Sequence, residues 1–126
     1  MAGTRRLTGV HDRPIIGTIV KPSVGLSQEQ TAALVRDLGE AGIDFIKDDE
    51  LQADGPQCPL KDRVSAVMRV INELADRTGR KVMFAFNITD DLDAMLRHHD
   101  TVVAAGGTCV MVSLHSVGLP ALLELR

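Results

Sequence analysis

Tryptophan and tyrosine are absent from the 126 residues, and Phe45, Phe84 and Phe86 are the only aromatic side chains. The core must therefore be aliphatic, built from Val, Leu, Ile, Met and Ala. A net charge of −3, with no basic patch interleaved with aromatics, removes the footprint of a nucleic-acid binder. Cys58 and Cys109 are too few for a disulfide framework and lack the close spacing of a metal knuckle. Reduced thiols in a cytoplasmic protein are expected. No apolar run approaches the roughly 18 residues of a membrane span, so no membrane partner is expected. Arg5 and Arg6 have no apolar stretch behind them, which argues against a signal peptide. Neither a G-x-G-x-x-G string nor a P-loop follows any apolar run, which weakens a nucleotide-binding reading.

What is present is an ordinary globular composition, 25% charged and 44% hydrophobic, with length for one domain. Residues 1–13 are polar without periodicity and read as a lead-in segment. The β-branched run Ile15–Val20 predicts a strand buried on both faces, as in a parallel sheet. Ser27-Gln28-Glu29-Gln30 is a capping-box pattern. Leu34, Leu38 and Ala41 follow at helical spacing up to Gly42. Residues 43–46 predict a second strand and residues 51–59 a loop. Val64, Val67, Met68, Ile71, Leu74 and Ala75 trace one helix face closed by Gly79. Residues 81–86 predict strand three, with Asn87 at its end. Asp90 is the expected cap of a helix running to about residue 105, with Leu92, Leu96 and Val103 inward. The adjacent His98 and His99 cannot face one site together on a helix and read as surface or rim residues. Residues 108–114 predict strand four, and Pro120 suits a first helical position.

The β-α-β-α-β-α-β-α order predicts a parallel sheet with right-handed crossovers, either doubly wound or part of a (β/α)8 barrel. Polar residues gather at the strand ends: Lys21, then Lys47 with Asp49 and Glu50, then Asn87, then Ser113. Barrels assemble active sites from those ends. Four βα units make half of a barrel that typically needs about 250 residues. The densest of these clusters is Lys47-Asp48-Asp49-Glu50. It reads either as a solvated acidic turn or as the oxygen-donor set of a hard divalent cation such as Mg2+. A protonated lysine cannot ligate a metal. Addition of CO2 to a neutral Lys47 amine gives a carbamate, and with it a third anionic oxygen ligand. Lys21, one strand away, is placed to move protons or steady developing charge; it also reads simply as a residue ending a strand before a proline.

Two strings settle on a family. Gly17-Thr18-Ile19-Val20-Lys21-Pro22-Ser23-Val24-Gly25-Leu26-Ser27, followed by Gly42-Ile43-Asp44-Phe45-Ile46-Lys47-Asp48-Asp49-Glu50, closely resembles the large chain of ribulose-bisphosphate carboxylase (RuBisCO). The likeness spans about residues 14–115, and the G-x-D-F-x-K-D-D-E string is highly specific. The resemblance implies that residues 14–126 form the first half, about four βα units, of the family's catalytic (β/α)8 barrel. It implies that Lys47 is the lysine carbamylated by CO2, that Asp49 and Glu50 complete a Mg2+ site, and that Lys21 is the catalytic lysine of enolisation and protonation. Asn87 is carried over as a substrate-site lining residue, as is Ser23. Asp48 is left as a structural residue. The family works as a homodimer or higher homo-oligomer, the partner completing each active site.

The departures narrow the expectation. True carboxylases read Lys-Pro-Lys where this chain reads Lys21-Pro22-Ser23, so a second active-site lysine is missing. A His-Asp pair usual at the end of strand four is replaced by Val112-Ser113. Met83-Phe84-Ala85-Phe86 is less polar than the carboxylase third strand. Retained ligands with an altered substrate shell resemble the RuBisCO-like (form IV) group, whose members run related enolate chemistry on other substrates. The expected activity is a Mg2+-dependent lyase or decarboxylase acting on a sugar acid or sugar phosphate. The alternatives are genuine ribulose-bisphosphate carboxylation, an enolase or isomerase of methylthio-sugar phosphates, and a catalytically inactive truncated fragment.

Overall fold

A computed structural model describes residues 2–125; Met1 and Arg126, the outermost residues of the lead-in and barrel spans, lie outside the described residues. Nine elements follow in the order α1 (Ala2–Thr8), β1 (Gly17–Ile19), α2 (Gln28–Glu40), β2 (Phe45–Lys47), α3 (Leu60–Thr78), β3 (Met83–Asn87), α4 (Leu92–Ala104), β4 (Cys109–Met111) and α5 (Leu114–Glu124). All strand pairs are parallel and the sheet order is β1-β2-β3-β4. Each new strand is added beside the last, with no reversal of order. That progression belongs to a barrel rather than a doubly wound sheet, which needs a switch point.

Pleating decides which residues meet the helices. Ile46, Val82, Phe84 and Phe86 enter one core cluster with Val35 of α2, Leu60, Val64, Val67, Ile71 and Leu74 of α3, and Val102 of α4. Phe45, Lys47, Met83, Ala85, Asn87 and Met111 alternate with these and point to the opposite face. Phe84 and Phe86 supply the aromatic contact of the core, with ring centroids 4.5 Å apart. Burial of this aliphatic cluster is the main source of stability, at about 25 cal/mol per Å2 of apolar surface. Three ion pairs join α2 to α3, Arg36–Glu73, Arg69–Glu29 and Arg77–Glu40. Their exposure leaves each screened by solvent and of little weight for stability.

Local signals hold where they depend on near neighbours. Ser27 accepts from the Gln30 N–H at 3.2 Å while the Gln30 side chain accepts from the Ser27 N–H at 2.9 Å, completing the capping box. Gly79 ends α3 in the left-handed conformation that favours glycine.

Five expectations need correction. The polar lead-in contains a helix, α1, too short to display periodicity and tied down by Arg5, which donates to the carbonyls of Val10 and Arg13. β1 is not buried on both faces: it is an edge of the described sheet, its residues are half-buried or exposed, and Ile16 is 52% exposed. α4 is capped by Asp91, whose side chain accepts from the Ala94 N–H at 2.9 Å; the Asp90 carboxylate turns to His98 instead. The inward face of α4 is also one stripe away from the expected one. Ala94, Met95 and Val102 are buried, whereas Leu92, Leu96 and Val103 are exposed. Small Ala94 and the seven-residue spacing of Met95 and Val102 let the helix dock closely, and periodicity alone does not choose between adjacent apolar stripes. The helix expected at Pro120 begins earlier, at Leu114, and kinks at Gly118 (φ 76°, ψ 165°), so that Pro120 opens its second segment.

At the opposite end of the strands, Asp44 anchors the sheet. Its carboxylate receives both Nη atoms of Arg13 (2.6 and 2.8 Å), the Ile16 N–H (3.0 Å) and Arg80 (3.2 Å). The Arg13 guanidinium, helped by the Ile16 N–H, holds its pKa down at about 2 against the cost of burial. A depressed folded-state value gives stability that is complete above the unfolded carboxylate value near 4 and is lost as pH falls toward 2. Asp44→Asn should therefore flatten the acid limb of a urea-stability profile between pH 4 and pH 2, by about 1–2 kcal/mol. An unchanged limb would show that Asp44 is not the group titrating there. In the core, Ile71→Ala should cost about 2–5 kcal/mol in the same assay at pH 7.

Candidate active site

The register places chemistry in a row. Ile19, Lys47, Ala85 and Cys109 are successive partners across the sheet. Two residues further along the same four segments come Lys21, Asp49, Asn87 and Met111. Because the step is two residues, these side chains emerge from the face that carries Lys47, away from the helices, at the C-terminal ends of the strands. Lys21, Lys47, Asp49, Glu50 and Ser23 are thereby brought together. Lys21 Nζ donates to Asp49 Oδ2 and lies 3.3 Å from Ser23 Oγ. Lys47 Nζ donates to Glu50 Oε1 at 2.7 Å and to the Asp48 carbonyl at 3.0 Å, with Met111 Sδ 3.6 Å away.

Both outer carboxylates are held ionised. The ammonium of Lys21 keeps the Asp49 carboxyl below its ordinary value, and the ammonium of Lys47 does the same for Glu50. Asp49 also accepts from the Leu51 N–H at 2.9 Å, which fixes its orientation at the start of the loop.

Asn87 works from beneath. It is fully buried, and its amide donates to the carbonyls of Asp49 (3.1 Å) and Glu50 (3.0 Å). Its oxygen accepts from the N–H (3.1 Å) and hydroxyl (2.6 Å) of Thr89, which in turn accepts from the Ser113 N–H at 2.9 Å. One amide thus links the ends of β2, β3 and β4. Ser113 enters this network through its backbone. Ser23 remains at the open side, next to Lys21.

Sequence reading missed Arg63. It is 0% exposed and pairs with the equally buried Asp48, Nε to Oδ2 at 3.1 Å. It also donates to the Cys58 carbonyl at 2.7 Å. Asp48 Oδ2 accepts in addition from the Asn87 N–H at 2.9 Å, while Oδ1 has no hydrogen-bond partner among the described residues. Burial raises the Asp48 pKa, opposed by the Arg63 charge and the Asn87 N–H. The available signal was an arginine at an inward position of an apolar helix stripe, between Leu60 and Val64, with an unassigned aspartate in the acidic string.

The chain matches the family model "Ribulose bisphosphate carboxylase large chain, catalytic domain" over residues 1–126. It belongs to the RuBisCO large-chain family. It is 65% identical to a 3-oxo-isoapionate-4-phosphate transcarboxylase/hydrolase of Xanthobacter autotrophicus, over all of this chain and 30% of that protein. It is 52% identical to a 3-oxo-isoapionate-4-phosphate decarboxylase of Rhizobium etli, over the same shares. A crystal structure of a rubisco-like protein from Burkholderia fungorum superposes with a TM-score of 0.97 at 59% identity, covering 99% of this chain and 31% of that one. The chain thus spans about a third of the length of such relatives, and its four βα units are those of a RuBisCO-type barrel. The expected resemblance to RuBisCO-like proteins holds. Among the described residues, no helix is long and apolar enough to cross a membrane.

The donor chemistry here fits a hard divalent cation. Asp49 and Glu50 offer ionised carboxylate oxygens, the ligand type Mg2+ prefers. The positive charge facing them comes from two ammonium groups, the Nζ atoms of Lys21 and Lys47. A carbamate on Lys47 would exchange one of those charges for a third oxygen ligand and leave a strongly anionic pocket.

The Asp48–Arg63 pair is testable by stability. Arg63→Met strands a buried carboxylate and should cost about 3–5 kcal/mol in urea unfolding. The folded-state pKa of Asp48 then rises further, so the variant should lose stability as pH climbs above the unfolded value near 4. Adding Asp48→Asn should recover much of the loss; a double variant no better than Arg63→Met would exclude the ion pair as its cause.

Proposed function

We propose that the protein carrying this chain is a Mg2+-dependent, enolate-forming enzyme of the lyase or decarboxylase type, acting on a phosphorylated sugar acid. The single observation that carries this reading is the paired arrangement of Lys21 with Asp49 and Lys47 with Glu50 at the ends of neighbouring parallel strands. Carbamylated Lys47, Asp49 and Glu50 would hold the metal. When bound, Mg2+ supplies Lewis-acid polarisation of a substrate carbonyl and stabilisation of the resulting enolate.

The chain's own residues account for the rest. Asn87 fixes the Asp49 and Glu50 carbonyls, so the two carboxylates are presented by a backbone that does not have to reorganise. Lys21 Nζ is exposed on its solvent side and tethered on the other to Asp49. It is the group placed to return a proton to the carbon from which CO2 or another carboxyl-derived fragment departs. Ser23 offers a short neutral hydroxyl beside Lys21, where a lysine would add positive charge. That difference supports sugar-acid chemistry over carboxylation of a bisphosphate. The substrate class follows the relatives, two of which are named for 3-oxo-isoapionate 4-phosphate.

The uncovered surface supports an assembled enzyme. β1 and β4 are the edges of the described sheet, and Val110, Val112, Leu122, Leu123 and Leu125 line an open apolar hollow between β4 and α5. Such surface is covered in a working enzyme by further barrel strands and by a second copy, giving a homodimer or higher homo-oligomer.

Two measurements test the proposal. The intact protein, assayed with a panel of 3-oxo sugar-acid phosphates and with ribulose bisphosphate, should release or transfer carboxyl carbon from the former. Measurable carboxylation of ribulose bisphosphate with no turnover of any sugar acid would overturn the reading. Lys21→Met should lower kcat by about 10²–10⁴-fold with little change in Mg2+ affinity; a wild-type kcat would remove Lys21 from the chemistry.

A further inference from the structure

A second group of ligand-type side chains lies beyond the site, on the loops that follow it. Asp54 comes from the β2–α3 loop, four residues after Glu50; Asp90 precedes α4; His98 stands on α4. One ligand atom from each lies within 4.8 Å of the other two. His98 Nε2 is 3.3 Å from Asp90 Oδ2 and 3.7 Å from Asp54 Oδ2. The remaining oxygens are tied down by backbone: Asp54 Oδ1 accepts from the Leu60 N–H at 2.6 Å and Asp90 Oδ1 from the Asp91 N–H at 2.8 Å. Two Oδ2 atoms are therefore directed at one imidazole nitrogen, which is only 16% exposed as a side chain.

An ion pair alone accounts poorly for this arrangement. Nε2 carries at most one proton and satisfies one carboxylate, leaving the other as an unmatched negative charge at short range. Among the described residues, no lysine or arginine lies within ion-pair distance of Asp54 or Asp90. A cation between the three atoms removes that repulsion and takes the Nε2 lone pair as a ligand. Mixed imidazole and carboxylate donors select a borderline divalent transition metal such as Zn2+, with water in the fourth position, over Mg2+ or Ca2+.

We propose that Asp54, Asp90 and His98 form a second, structural metal site for a divalent transition ion of the Zn2+ type. The ion clasps the loop after Asp49 and Glu50 to the start of α4. It is separate from the proposed Mg2+ site, shares no residue with it, and requires no CO2.

The test uses Co2+, whose visible absorption reports coordination, as the probe on the intact protein after chelation. Titrations are run in degassed buffer, on wild type and on a Lys47→Ala variant that lacks the carbamate. One equivalent should bind in both, be displaced by Zn2+, and raise the unfolding temperature. His98→Gln and Asp90→Asn should each weaken binding by about tenfold or more, with circular dichroism confirming that both variants fold. Because Asp90 is exposed, its variant keeps the test open even if His98→Gln does not fold. The proposal is overturned if no equivalent binds to the wild type, if binding survives both variants, or if it is lost in Lys47→Ala.

Discussion

The carboxylate of Asp48 is the point on which the site is hung. It sits with no exposed surface at the end of β2, held by Arg63 from α3 and by the backbone of Asn87 from β3. A charge this deep persists only with a counterion and hydrogen bonds around it. Asp48 therefore fixes where the next two residues, Asp49 and Glu50, leave the sheet. Asn87 locks the same backbone from below through two carbonyls. The result is a platform in which Asp48 is structural, the likewise buried Asp49 turns to Lys21, and Glu50 faces Lys47 and solvent.

Alternation by twos then divides the labour of the strands. Ile46, Phe84 and Phe86 point to the helices and build the core, while Lys47, Asn87 and Met111 point the other way. The core and the candidate site occupy opposite faces of one sheet. Arg63 of α3 reaches Asp48 at the end of β2, and so ties the helix layer to the backbone that carries Asp49 and Glu50.

Much of this was legible from the residues. A parallel α/β sheet followed from alternating strand and helix patterns, the barrel from the family resemblance, and Lys21, Lys47, Asp49 and Glu50 stood out as charges at strand ends. Ser27 and Gln30, which interact over three residues, were read correctly because capping is local. The misreadings arose where tertiary packing chose between equal local options. α4 had two adjacent apolar stripes, and the one with Met95 and Val102 docked. Asp90 and Asp91 were both fit to cap, and His98 drew Asp90 away. Arg63 was passed over because its partner, Asp48, stands 15 residues away in the chain and meets it only in the fold. The meeting of Asp54 and His98, 44 residues apart, has no signature in sequence spacing.

The proposed metal site turns on the amine of Lys47, which lies between Glu50 and Met111 on the face away from the helices. Its carbamylation is best tested by carbon-13 NMR of the intact protein equilibrated with 13CO2, with and without Mg2+. A single carbamate resonance that strengthens with Mg2+ and is missing from Lys47→Ala is the predicted result. Absence of any such resonance, or its persistence in Lys47→Ala, would contradict the assignment of this lysine to the metal site.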